Sequence, residues 1–301
     1  MNQILFFDRL TNEIAKEQVY GGFFLKGLYQ TCLGRWLLPL IAGNGVFSRL
    51  YGWMQKSKWS QKKILPFIKK FNIDVSEFAD PIESFQSFND FFTRKLSVDA
   101  RPLDQGAVLP ADGRYRVYPQ LGASEGIWVK GKYFDLVQLL RSEQLADRYH
   151  NGAVVIARLC PVDYHRFHFP FDCKAGNFKV INGPLYSVSP IALKYNINIL
   201  HENKRVITEL QSAEFGPVQF IEIGATNVGS IVQTYTPDEE YKKGDEKGYF
   251  EFGGSCIIML FEPGRIQFAD DLVHHSNQNL EVRGFMGQAL GKSDIFLSDV
   301  P

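Results

Sequence analysis

The chain has 301 residues, 45% hydrophobic and 22% charged, enough apolar content to bury a sizeable core and too much for a disordered segment. Its 33 basic residues are matched by 33 acidic ones, so no global attraction to nucleic acid arises. Cys32, Cys160, Cys173 and Cys256 form no C-x-x-C pair, which argues against a zinc site and a disulfide framework and for reduced thiols facing a cytosol.

Residues 1 to about 75 read as helical and aromatic. Asp8, Glu13 and Glu17 interrupt the N-terminus, which lacks the pattern of a signal peptide. The longest uncharged run there, 36–48, contains Pro39, Gly43 and Gly45 and falls short of the about 20 apolar residues of a spanning helix. Phe23, Phe24, Trp36, Leu37, Leu38 and Trp53 are interleaved with or followed by Lys26, Arg35, Lys56, Lys58, Lys62 and Lys63. This composition suits helices lying in a membrane interface, where each lysine adds about 1 kcal/mol near anionic lipid. It equally suits a helical layer packed on its own core with solvated lysines.

Residues 76–104 read as a connector with one short helix around 88–94. From Val108 the pattern turns β-rich, with strands expected at 153–159, 218–223, 229–233 and 257–261. A helix is expected at 134–148 and a charged loop at 237–248. The fold class is therefore α+β: an apolar helical N-terminal region, 1–75, followed by a β-rich domain, 76–301.

Chemistry concentrates at three places. In Phe250-Glu251-Phe252-Gly253-Gly254-Ser255-Cys256, two glycines put Ser255 on a sharp turn that feeds the buried run 257–261. Pro161-Val162-Asp163-Tyr164-His165-Arg166-Phe167-His168 carries two histidines three apart. Asp112 sits in Ala111-Asp112-Gly113, which is also ordinary turn chemistry. His168, flanked by phenylalanines, also fits a hydrogen-bonded core histidine. On a strand, positions i and i+3 face opposite sides, and no further ligand pair is evident, so no metal is expected.

Taken together, these motifs resemble the phosphatidylserine decarboxylase family. Supporting matches run in order: Phe88-Asn89-Asp90-Phe91-Phe92-Thr93-Arg94, Arg101-Pro102-Leu103-Asp104, Lys130-Gly131 and Gly224-Ala225-Thr226-Asn227-Val228-Gly229. The resemblance covers roughly 85–270, and it departs from the commoner Gly-Ser-Thr ending at Cys256. It implies a proenzyme in which Ser255 attacks the Gly254 carbonyl and splits the chain into 1–254 and 255–301. Ser255 then becomes a covalent pyruvoyl group. His168 would be the base for Ser255 and Asp112 its orienting carboxylate, and His165 would serve the decarboxylation step. The implied reaction converts phosphatidylserine to phosphatidylethanolamine and carbon dioxide. Implied partners are membrane lipids, bound peripherally on the cytoplasmic face of a bacterial membrane, and a second copy in a homodimer. Two other readings remain: a pyruvoyl enzyme acting on a related aminophospholipid, and a serine hydrolase on Asp112, His168 and Ser255. The hydrolase reading lacks the G-x-S-x-G elbow.

Overall fold

The computed structural model describes residues 4–17, 19, 22–34, 36, 38, 46–121, 135–225, 231–253 and 255–294. Lys130-Gly131, residues 226–229, Gly254, Arg35, Leu37 and the side chain of Phe24 lie outside the described part.

The architecture is mixed α and β, built on one large sheet. Its centre is β14 (Ser255–Phe261), paired antiparallel with β10 (Gly216–Gly224) and β5 (Ala153–Leu159). Beyond β10 lie β9 (Arg205–Ser212), β7 (Cys173–Ala175) and β12 (Glu240–Tyr241), with β8 (Lys179–Ile181) also on β9. Beyond β5 lie β4 (Gly113–Tyr118), β16 (Glu281–Gly284), β1 (Leu5–Asp8) and β2 (Glu13–Lys16). Two small sheets flank it: β11 (Ile231–Gln233), β13 (Glu246–Phe250) and β6 (Arg166–His168) in one, β15 (Gln267–Phe268), β17 (Ala289–Lys292) and β3 (Ala107–Val108) in the other.

Successive side chains of a strand point to opposite faces. Ile257, Met259 and Phe261 join Val155, Ala157 and Leu159 in one core, capped by Phe167, Phe215 and Leu272. Cys256, Ile258 and Leu260 join Val154 and Ile156 in a second core, covered by Leu28, Tyr29, Leu139, Tyr149 and Ile191. Burial on both faces is why 153–157 and 257–261 read as unbroken apolar runs. A third cluster gathers Ile64, Phe67, Phe85, Phe88, Phe91 and Phe92 around Phe252.

Two expectations are corrected. The first residues are not helical: β1 and β2 form a hairpin, and β1 adds parallel to β16. Phe7 enters the core and Asp8 pairs with Arg283 at 2.9 Å, contacts only a strand in register can make. Described helix begins at Gly22–Gln30. The expected helix at 134–148 is two, Leu136–Leu140 and Glu143–Tyr149, because Arg141 turns left-handed (φ 52°) and Ser142 caps a new helix by accepting from the Leu145 N–H.

Candidate active site

Two ladders meet at a corner. Ser255 opens β14 opposite Leu159, the last residue of β5. From Leu159 the chain turns through Cys160 to His165 and continues as β6, which pairs with β13. From β13 the chain turns through Glu251–Gly253 towards Ser255. The two turns run side by side: the Phe250 N–H donates to the His165 carbonyl at 2.9 Å. One turn carries the histidines and the other the serine. Gly253 adopts φ 149°, a conformation open to glycine and strained for other residues. Phe252, two residues earlier, is pinned between Phe88 and Phe92 at ring distances of 5.2 and 4.9 Å, and its N–H donates to Asn89 at 2.9 Å.

Asp112 enters from the other side of β5. Arg114 pairs with Arg158 while Ser255 pairs with Leu159, so the starts of β4 and β14 flank the end of β5. At about 4.8 Å per strand this is roughly 10 Å between backbones. The His168 N–H donates to the Pro110 carbonyl at 2.8 Å, tying the histidine strand to the Asp112 segment.

The side chains at this corner are not joined as a hydrogen-bonded triad. The Asp112 carboxylate is gripped by Arg101 at 3.0 and 2.7 Å and accepts from the Met286 N–H at 2.8 Å. Burial pushes its pKa up from the usual range, while Arg101 pulls the other way. His168 Nδ1 bonds the Gly244 carbonyl at 2.9 Å. A carbonyl only accepts, so Nδ1 carries the proton and Nε2 is a bare acceptor. The Tyr164 hydroxyl donates to that Nε2 at 3.1 Å. Burial lowers the His168 pKa below 6.5, favouring the neutral imidazole a base needs.

His165 is wholly buried, with its ring 3.9 Å from that of Phe92. Its Nδ1 donates to the Asp163 carbonyl at 2.9 Å, again leaving Nε2 bare. Burial brings its pKa down to about 4. Asp163 is locked in turn. Burial opposes its ionisation, but Arg114 at 2.6 Å and the Cys160 N–H at 2.7 Å outweigh that and hold its pKa below the usual value. Ser255 is fully buried, and its Oγ and the His165 Nε2 have no hydrogen-bond partner among the described residues. Buried polar atoms are seldom left so. Two at one corner suit a site where a further polar group has to be accommodated, and the residues present therefore fit a carbonyl-bearing group at position 255. Among the described residues, no three His, Cys, Asp or Glu side chains gather as a metal would require.

Several participants escaped the sequence reading. Phe92 belongs to a motif noted only as a match, yet it walls His165. On β10, opposite Ile257 and on the same face as Phe220, Glu222 is wholly buried and paired with Lys247. The signal was a charge inside the apolar run Phe220-Ile221-Glu222-Ile223, a pattern that demands a buried partner. Lys247 was hidden in what read as a charged loop.

The sequence profile of the phosphatidylserine decarboxylase family matches residues 88–292. A phosphatidylserine decarboxylase proenzyme of Chlamydia felis is 49% identical over 296 residues, covering 97% of this chain and 99% of the relative. The proenzyme of Chlamydia caviae is 50% identical over the same shares, and that of Chlamydia pneumoniae is 44% identical over 97% of this chain and 98% of its own. With similarity spanning both chains nearly end to end, this chain belongs to the phosphatidylserine decarboxylase family.

Proposed function

We propose that the protein is made as a proenzyme, cleaves itself between Gly254 and Ser255, and decarboxylates phosphatidylserine to phosphatidylethanolamine and carbon dioxide. The observation that carries this reading is near-full-length similarity to curated proenzymes, together with Ser255 sitting buried where the two histidine-bearing and serine-bearing turns meet.

In self-cleavage, Ser255 Oγ is the nucleophile and His168 Nε2 takes its proton. His168 is in the right tautomer, because Gly244 holds its other nitrogen. The Tyr164 hydroxyl has to leave Nε2 for Ser255 to reach it. Asp112, fixed by Arg101, supplies negative charge beside the histidine strand. A pyruvoyl group at 255 would supply a conjugated carbonyl that takes up the electron pair released with carbon dioxide. His165, neutral and with Nε2 bare, takes the proton of the substrate ammonium and returns it to the carbon. Phe92 and Phe252 exclude water from that transfer.

The N-terminal region is proposed to hold the enzyme peripherally at the cytoplasmic face of a membrane. In support, Phe23, Trp36, Trp53 and Trp59 are 95%, 72%, 69% and 79% exposed, unusual for large apolar groups in a solvated layer. Leu38 instead packs on the core, and Lys56 pairs with Glu251 at 2.6 Å. Among the described residues, no helix is long and apolar enough to cross a membrane.

Intact-mass analysis tests the central claim. Two chains, 1–254 and 255–301, are expected, the smaller refractory to Edman degradation and losing activity on borohydride reduction. A single active 34.3 kDa chain would rule out the pyruvoyl reading and favour the hydrolase.

A further inference from the structure

Away from the catalytic corner, β1, β2 and the helices Gly22–Gln30 and Pro190–Tyr195 enclose a groove of about 1110 Å³. None of Asp112, His165, His168 or Ser255 lines it. Its apolar wall is drawn from Ile4, Leu5, Val19, Phe23, Ile191 and Leu280. Three lysines are also among its lining residues: Lys16 on the edge strand, Lys26 on the first helix and Lys194 on the other. Its single acid, Glu17, is turned to Arg158 at 2.8 Å, and no carboxylate among the described residues pairs with any of the three lysines. The volume is slightly above the usual range for ligand clefts, about 300–1,000 Å³. Positive charge beside the apolar wall of a cleft matches a molecule with an anionic head and a hydrocarbon tail.

We infer that this groove binds one anionic phospholipid, its phosphate among Lys16, Lys26 and Lys194 and an acyl chain along Leu5, Phe23 and Ile191. This deepens the membrane part of the proposal above by naming a lipid site separate from the reaction. Phe23 is almost fully exposed, which suits contact with the bilayer.

The test uses the full-length protein carrying Ser255→Ala, so that turnover does not consume lipid and binding is read apart from the decarboxylase reading. A monomeric short-chain phosphatidylglycerol should bind one molecule per chain, and Lys16→Glu/Lys26→Glu/Lys194→Glu should weaken it roughly hundredfold, about a factor of five per lysine. The same triple substitution on a wild-type Ser255 background should still self-cleave, which shows that it folds. A Lys→Gln triple variant gives an intermediate loss without introducing acid. Sedimentation with equimolar phosphatidylglycerol and phosphatidylcholine vesicles should fall in parallel, while pure phosphatidylcholine vesicles bind both forms weakly. Unchanged short-chain binding in a folded triple variant overturns the proposal. So does equal binding of inorganic phosphate, or vesicle binding lost with no one-to-one lipid complex in the parent, which marks diffuse surface attraction.

Discussion

The Tyr164 hydroxyl donates to His168 Nε2 at 3.1 Å, occupying the nitrogen proposed to take the Ser255 proton. The phenol therefore competes with the nucleophile for its base. One hydrogen bond nets about 0.5–1.5 kcal/mol. Tyr164→Phe should then speed self-cleavage by roughly 2- to 10-fold, followed on gels after rapid expression. Slower cleavage would mean that Tyr164 supports His168 instead.

The two histidines should separate by step. His168→Ala is expected to leave the chain uncleaved. His165→Ala should cleave, at least in part, yet fail to decarboxylate, each defect on the order of 10²–10⁴-fold. Normal cleavage in the His168 variant would remove it as the base. Because burial keeps the His168 pKa below 6.5, the cleavage rate of the wild type should be flat above that pH and fall only below it.

His165 also ties stability to pH. Its pKa is about 4 when folded and about 6.5 when unfolded, so between these values the unfolded chain binds the extra proton. The stability is fully present above pH 6.5 and is lost as pH falls towards 4, by roughly 3 kcal/mol at most. Urea melts at pH 7 and pH 5 should show a smaller difference for His165→Gln than for the wild type. Equal differences would show that His165 titrates normally.

Lys247 and Glu222 form a wholly buried pair, with Lys247 Nζ also donating to Thr208 at 3.0 Å and Gln233 at 2.8 Å. Burial lowers the lysine pKa and raises that of the glutamate. Removing one partner strands the other charge, so Lys247→Met or Glu222→Leu alone should cost about 3–5 kcal/mol. The double variant should come back near wild-type stability, because two apolar side chains remove both desolvation penalties. Additive losses in denaturant melts would refute the coupling.

For the membrane, replacing Phe23, Trp36 and Trp53 by Ser should lower activity on bilayers while sparing short-chain soluble phosphatidylserine. Deleting the region is a poorer test, because Tyr29 is buried and accepts from the Ser187 N–H at 2.9 Å. Equal loss on both substrates in a folded, cleaved variant would mark these aromatics as structural.

The central strands, the Gly-Ser turn and the histidine pair were legible in the sequence for a local reason. Strands buried on both faces are continuous apolar runs, and a reactive turn announces itself by its glycines. The N-terminal hairpin was not legible, because Leu5-Phe6-Phe7 becomes a strand only when β16, some 275 residues on, offers its edge. Nor could the sequence show that Arg101 holds Asp112, that Gly244 sets the tautomer of His168, or that Lys247 reaches Glu222. Each of these depends on distance between residues far apart in the chain, and a buried polar group's state is decided by whichever partner the fold brings within about 3 Å.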